Sequence, residues 1–154
     1  ADSDSLRIQK FTSDGTFITE WGSFGSGDGQ FSYAPGVAVG PSGNIFVADK
    51  GNNRIQKFSP GGNFISKWGS AGTGDGQFGR PESVIVDTLG TVYVSDLDND
   101  RIQMFTSDGS FIAAFGSTGS GPGQFDKPRY ISIDPSTGKL YVADSNNNRI
   151  QVFD

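Results

Sequence analysis

The sequence predicts an all-β fold in which short antiparallel strands form the four-stranded blades of a β-propeller. The first observation is a repeated Arg-Ile-Gln tripeptide, which begins at Arg7, Arg54, Arg101 and Arg149. The second is Gly-Gln-Phe, which begins at Gly29, Gly76 and Gly123, so that both markers recur about every 47 residues. The third is that each repeat contains four short apolar segments separated by turn-forming residues, which is typical of a propeller blade.

The four predicted strands are clearest in the second and third copies of the repeat. In the second copy they are Val37–Val39, Ile45–Ala48, Arg54–Phe58 and Phe64–Trp68, and in the third they are Val84–Val86, Val92–Ser95, Arg101–Phe105 and Phe111–Phe115. The first two strands of each copy are almost entirely apolar, which indicates burial on both faces, whereas the third alternates. No segment shows a helical period, so we expect no helix.

The connections between strands also follow the repeat. Pro41-Ser42-Gly43 and Ser107-Asp108-Gly109 are predicted hairpin turns, because glycine tolerates the positive φ that such turns require. A glycine-rich segment follows the fourth strand of each copy, at residues 22–29, 69–76 and 116–123. We predict that these segments cross from one blade to the next and that Phe31, Phe78 and Phe125 anchor their ends between blades.

Composition argues against several functional classes. The 154 residues include 12 Lys and Arg against 17 Asp and Glu, without a basic cluster, which argues against nucleic-acid binding. No apolar run approaches the roughly 18 residues of a membrane span, so no membrane partner is expected. The chain has no cysteine and no histidine, which removes thiolate chemistry, the usual general base and the commonest metal ligand. We therefore expect no cofactor and no enzymatic activity.

The repeat divides the chain into a single propeller segment of about three blades. The predicted units are a partial blade at residues 1–31, blades at 32–78 and 79–125, and a partial blade at 126–154. Three blades cannot close a ring, because propellers typically need about 4–8. We expect a second chain to complete a six-bladed ring, and the alternative is that further blades of a longer chain do so. Both ends carry an Arg-Ile-Gln strand, and the degraded N-terminal copy is the one we expect to be displaced.

The most regular polar motif is interpreted as structural. Its members are Asp49, Asn52 and Arg54, then Asp96, Asn99 and Arg101, then Asp144, Asn147 and Arg149. A single active site needs no copies, so we expect Asp and Asn to cap turns by accepting backbone N–H bonds and Arg to pair with Asp or brace a neighbouring blade. Asp96, Asp98 and Asp100 form a weak Ca²⁺ candidate because their oxygens alternate, but the glycine and glutamate of an EF-hand loop are missing.

Residues just before the innermost strand differ between copies and are the candidate ligand-binding residues. They are Tyr33, Arg80, Glu82, Lys127, Arg129 and Tyr130. Folding constrains what every copy shares, so positions that differ are free to serve binding. We expect these residues near the mouth of the central channel.

The spaced markers together resemble the NHL repeat. They are Gly-Gln-Phe at Gly29, Val-Ala-Val at Val37, Gly-Asn-Ile-Phe-Val-Ala-Asp at Gly43 and Asn-Asn-Arg-Ile-Gln-Lys-Phe at Asn52. The resemblance implies a six-bladed ring that engages ligands on one face. Some similar propellers are zinc lyases with histidines in the channel, and others bind RNA on a basic face. Neither activity carries over to a histidine-free, acidic chain.

The expected function is therefore a non-catalytic binding or scaffold module that assembles as a homo-oligomer. It would bind a protein or a glycan through the propeller face, in an extracellular or cell-surface protein. Two alternatives stay open. One is an engineered or fragment propeller whose main property is self-assembly, and the other is a metal-dependent enzyme of lyase or lactonase type that uses channel carboxylates.

Overall fold

The computed structural model describes residues 1–154 as thirteen β-strands and two 3-10 turns. The strands are β1 (Ile8–Phe11), β2 (Phe17–Trp21), β3 (Gly36–Val39), β4 (Ile45–Asp49), β5 (Arg54–Phe58), β6 (Phe64–Trp68), β7 (Pro81–Val86), β8 (Val92–Asp96), β9 (Arg101–Phe105), β10 (Phe111–Phe115), β11 (Pro128–Ile133), β12 (Leu140–Asp144) and β13 (Arg149–Phe153). The all-β prediction is confirmed.

The strands form four antiparallel sheets in which each strand pairs with its neighbour in sequence. Two sheets are complete blades, β3-β4-β5-β6 and β7-β8-β9-β10. A two-stranded sheet, β1-β2, precedes them, and a three-stranded sheet, β11-β12-β13, follows. By comparison with a complete blade, β1-β2 corresponds to the third and fourth strands, and β11-β12-β13 corresponds to the first three. The chain therefore contains two whole blades between two partial ones.

The strand boundaries agree with the predicted ones where local sequence decides them. β5, β6, β9 and β10 have the predicted ends, whereas β3 and β7 begin earlier, at Gly36 and Pro81. Pro81 is opposite Asp96 at the first position of β7, where a proline is tolerated in a strand.

The two 3-10 turns, Lys50–Asn52 and Leu97–Asn99, contradict the expectation that the chain has no helix. Each is a single turn, which is too short to leave a periodic signal in the sequence. Neither has the length or apolar character that crossing a membrane requires.

The hydrophobic core lies between sheets rather than within one. Three clusters separate the four sheets, and the central one contains Phe46, Ile55, Phe78, Val94 and Phe105. The predicted anchors Phe31, Phe78 and Phe125 are confirmed, because all three are fully buried. Their rings lie 5.7 to 5.9 Å from Phe58, Phe105 and Phe153, and each such aromatic pair contributes about 0.5–1.5 kcal/mol beyond its burial.

Candidate functional site

The repeated Asp–Arg pair closes the hairpin between the second and third strands of a blade. Asp49 ends β4 and Arg54 begins β5, so that the two residues are directly opposite each other. The Nε of Arg54 donates to Oδ2 of Asp49 at 2.8 Å, and both side chains are buried. Arg101 with Asp96 and Arg149 with Asp144 repeat the contact at 2.9 and 2.7 Å. The pairing predicted for these residues is present in each blade.

The same arginine also holds the glycine-rich crossing that leads into its own blade. The guanidinium of Arg54 donates to the carbonyl oxygens of Ser26, Gly27 and Gln30 at 2.7 to 2.9 Å. Gln56 adds two bonds, because its Nε2 donates to the carbonyl of Gln30 and its Oε1 accepts from the N–H of Gly29. We call Arg54 and Gln56, with their equivalents Arg101 and Gln103 and Arg149 and Gln151, the crossing clamp. Its partners are all within the fold, so it has a structural role.

The buried aspartate of the motif accepts four hydrogen bonds from within the chain. Asp49 accepts the backbone N–H of Ser32 and the side-chain amides of Asn52 and Gln56, in addition to Arg54. Asn52 behaves differently from the prediction, because its amide donates to Asp49 and to the carbonyl of Gly25 instead of accepting a backbone N–H.

The equivalent aspartates of the next two sheets differ in their electrostatics. Burial raises the pKa of Asp96, although hydrogen bonds from Asn99 and Arg101 oppose the rise. Burial also acts on Asp144, but hydrogen bonds from the N–H of Asp126 and from Arg149 outweigh it, so that the pKa of Asp144 is lowered. The Arg149 side chain is 30% exposed against 13% for Arg101, because no further blade covers β13.

The structure does not support the candidate Ca²⁺ site at Asp96, Asp98 and Asp100. Asp96 is saturated inside the motif, Asp98 pairs with Lys127 at 3.0 Å, and Asp100 accepts from the N–H of Lys127 and from Thr118. The three carboxylates are therefore held by different donor groups and do not converge on one centre. Within the chain, no group of three or more Asp, Glu, His or Cys side chains has a geometry that could hold a metal ion.

Five of the six candidate ligand-binding residues have side chains that reach solvent. Tyr33 is 42% exposed and Tyr130 is 59% exposed, and Arg129 lies beside Tyr130 on β11. Arg80 and Lys127 both contact Asp98, so their charges are already partly balanced. The two tyrosines and Arg129 are the part of this set that is free to contact a ligand.

Glu82 corrects the sequence-based set, because its side chain is only 4% exposed. It forms an ion pair with Lys50, and the ammonium group of Lys50 lies 5.3 Å from the ring centre of Tyr33. The pair joins the two complete blades and is not a surface for ligands. Sequence reasoning missed Lys50, which Leu97 and Ser145 replace in the other copies. The only signal available in the sequence was that Lys50 and Glu82 carry opposite charges that the other copies of the repeat do not share.

A second feature that the sequence did not locate is the open flank at each end of the chain. Ile150 on β13 is 61% exposed, whereas its equivalents Ile55 and Ile102 are fully buried. Val152, on the same strand, is 51% exposed. At the other end, Val37 on β3 is 38% exposed, against 2% for its equivalent Val84. A groove of about 310 Å³ lies here, lined by Ile8, Phe11, Trp21, Val37, Val39 and Ile45 among others. Both flanks are apolar.

Comparisons with known proteins agree with this architecture. A family model described as the NHL repeat matches residues 31–58 and 125–153, which confirms the resemblance stated from the motifs. No curated protein sequence matches the chain significantly.

Three similar solved structures are all lyases. A streptogramin B lyase has a TM-score of 0.67 and 17% identity, over 97% of this chain and 48% of the lyase. Virginiamycin B lyase from Staphylococcus aureus has a TM-score of 0.67 and 15% identity, over 99% of this chain and 50% of the lyase. A catalytically inactive variant of that lyase with quinupristin has a TM-score of 0.65 and 17% identity, over 96% and 48%.

These structures correct the expectation of a protein that is not an enzyme. The structures that the chain resembles are enzymes, so the absence of histidine and cysteine did not justify that expectation. At this level of identity the likeness concerns the fold. The chain spans about half the length of the lyases it matches.

Proposed function

Because this chain is built from NHL repeats, we propose that it is one half of a six-bladed propeller and that a second copy supplies the other half. The two partial sheets supply complementary sets of blade strands. The β11-β12-β13 sheet has the first three strands of a blade, and β1-β2 has the last two. If they meet across two chains, each chain contributes two whole blades and shares two seam blades. The ring then has six blades.

The observation that carries this proposal is the exposure of Ile150. Its sequence context, Asn-Arg-Ile-Gln, is identical to that of Ile55, yet Ile150 is 61% exposed and Ile55 is fully buried. The following blade covers Ile55, and no blade of this chain follows β13. Full burial of such a side chain stabilises by about 1.5–3 kcal/mol, and several apolar residues on each flank are in the same position. A second copy offers complementary surfaces at both flanks.

The likeness to the lyases supports the same arrangement. The chain superposes on 48–50% of their length, which is the share expected of three blades in a ring of six.

We further propose that the face carrying Tyr33, Arg129 and Tyr130 is the binding surface of the completed ring, for a protein or a glycan in an extracellular or cell-surface setting. Exposed tyrosines offer apolar ring faces with a hydroxyl group that can hydrogen-bond, as interfaces and sugars require. Arg129 has no carboxylate partner within 4.0 Å in the chain, so its guanidinium is free for a ligand. The two-fold symmetry would present each group twice.

The mass of the native protein tests the assembly. The chain has a mass of 16.3 kDa, so we expect native mass spectrometry and light scattering at micromolar concentration to show a dimer of twice that mass. A folded monomer under these conditions would contradict the proposal and would indicate that other blades complete the ring.

A glycan array, read with labelled dimer, tests the binding face. The triple variant Tyr33→Ala, Arg129→Ala, Tyr130→Ala should keep the dimer and its circular dichroism spectrum while losing any array signal. Ile112→Ala, a half-exposed residue of the outer strand β10, is the matched control and should bind as the parent does. Equal binding by the triple variant would rule out this face.

A further inference from the structure

We infer that the proposed ring closes by strand exchange, in which β13 of each copy replaces β1 of the other. The inference rests on the proposed dimer and identifies the strand that forms its seam. Both β1 and β13 are third strands of a blade, and each seam blade has room for only one of them. The contacts of the two strands decide between them.

The position that β13 needs is the one that β1 occupies within the chain. Ile8 of β1 is 3% exposed and belongs to the cluster that contains Phe31, Ala34 and Val47. In the complete blades, Ile55 and Ile102 occupy the equivalent site against the next blade. Ile150 is the same residue of the repeat, and it finds no such cluster in its own chain. Hence β1 fills the site that would accept Ile150 of a second copy.

The crossing clamp shows that β13 is the strand more firmly held in its blade. Arg149 donates to the carbonyls of Ser120, Gly121 and Gln124, and Gln151 bonds both Gly123 and Gln124. Displacing β13 would release the entire crossing that leads into its sheet.

The corresponding residues Arg7 and Gln9 contact no glycine-rich crossing in this chain. Arg7 pairs with Asp2 and Glu20, and Gln9 donates to the same Glu20 oxygen. These contacts are at the surface, where ion pairs contribute little. Displacing β1 would also break the bonds from Ser3 to the carbonyl of Ala34 and from Lys10 to the carbonyl of Pro60. Release of β1 therefore costs less than release of β13.

The turns that precede the third strands of the blades also favour displacement of β1. Asn53 and Asp100 precede β5 and β9 in a left-handed conformation, and their side chains accept the N–H of Arg80 and Lys127 in the next blade. Asn148 precedes β13 with the same conformation and can accept the N–H of Tyr33 in a second copy. Leu6, two residues before β1, has no side-chain oxygen to offer.

The register of the exchanged seam follows from the complete blade. Ile55, Gln56 and Lys57 are opposite Trp68, Lys67 and Ser66. By equivalence, Val152 of one copy would be opposite Thr19 of the other. If β1 stayed in place and β13 were displaced, Lys10 of one copy would instead be opposite Tyr141 of the other, because Tyr141 is opposite Val152 within the chain.

The absence of cysteine allows a test by disulfide formation. The double variant Val152→Cys, Thr19→Cys should form a covalent dimer on mild oxidation, because opposite strand positions are within disulfide range. Peptide mapping should find the 19–152 link. The matched variant Tyr141→Cys, Lys10→Cys should form no link of its own. A 10–141 link, or a dimer with neither link, would overturn the exchange while leaving the half-ring intact. A parent chain without dimer would instead contradict the proposed function.

Two substitutions provide an independent test, because they should change the affinity of the dimer in opposite directions. Ile150→Asp should weaken the dimer by roughly a hundredfold or more, because it places a charge in the apolar site. Ile8→Ala should strengthen the dimer by roughly tenfold, because β1 then competes less well for that site. Ile112→Asp on the outer strand is the control and should leave the affinity unchanged. Weakening by Ile8→Ala would show that β1 is itself the seam strand and would overturn the inference.

Discussion

The side-chain oxygen of Asn53 accepts a hydrogen bond from the backbone N–H of Arg80 at 2.9 Å and thereby joins two neighbouring blades. Asp100 repeats this contact with Lys127 at 2.8 Å across the next boundary. At the first boundary the equivalent residue is Leu6, which has the same left-handed backbone, with a φ of 54°, but no acceptor. A bulky apolar residue is strained in this conformation. The first boundary therefore lacks a bond and contains strain.

Replacing Leu6 by Asn should stabilise the chain. Asparagine tolerates the left-handed region and can accept the N–H of Tyr33, so we expect a gain of about 1 kcal/mol in the free energy of unfolding. Urea unfolding in dilute solution measures it. Asn53→Leu is the reverse change at an intact boundary and should destabilise by a similar amount. An unchanged midpoint for both variants would contradict the role of this bond.

Removing a clamp arginine should be most damaging where the arginine itself is buried, because the three aspartates are all buried. Arg54→Ala leaves the carboxylate of Asp49 without its cation and should cost about 3–5 kcal/mol. Arg149→Ala should cost less, because its site is open to solvent on the uncovered side of β13. Urea unfolding of both variants provides the comparison. Equal losses would show that burial does not set the strength of the clamp.

Two glycines with the same φ angle provide a matched test of blade packing. Gly62 and Gly15 both have a φ of 87°, so alanine is strained equally at either position. A Cβ atom at Gly62 would lie 2.6 Å from the Trp21 ring, whereas nothing lies within 4 Å of one at Gly15. We expect Gly62→Ala to cost about 1–3 kcal/mol more than Gly15→Ala in thermal or urea unfolding and to alter tryptophan fluorescence. Equal losses would contradict this contact.

Acid should destabilise the hairpin that contains Asp134. Hydrogen bonds from the hydroxyl and N–H of Ser136 and the hydroxyl of Thr137 lower the pKa of Asp134 from 3.8 to about 2. A carboxylate with a lowered pKa in the folded state contributes stability above its unfolded pKa, and that contribution disappears as the pH falls from about 4 to 2.

Asp134→Asn should therefore reduce the difference in urea midpoint between pH 6 and pH 3. Ser136→Ala, which removes one of the donors, should reduce it partially. A pH dependence identical to that of the parent would show that this turn is not one of the acid-sensitive groups. Asp96 acts in the opposite direction, because burial raises its pKa and its contribution decreases as the pH rises.

Much of the fold could be predicted because its determinants are local. The strands Arg54–Phe58 and Phe64–Trp68 were predictable from alternation and turn chemistry. The burial of Phe31, Phe78 and Phe125 was predictable because each ends a Gly-Gln-Phe marker at a fixed place in the repeat. The candidate site was less predictable. Burial of Glu82 depends on Lys50, which is 32 residues earlier in the chain, and no local pattern connects the two.

The sequence by itself determined the repeat, the strands of each blade and the motif that links a blade to its crossing, because these depend on residues that recur at fixed spacing. Only the tertiary structure decided which copies are covered and which are open. Ile55 and Ile150 have the same local sequence but differ from fully buried to 61% exposed, because burial depends on whether another blade packs against the strand.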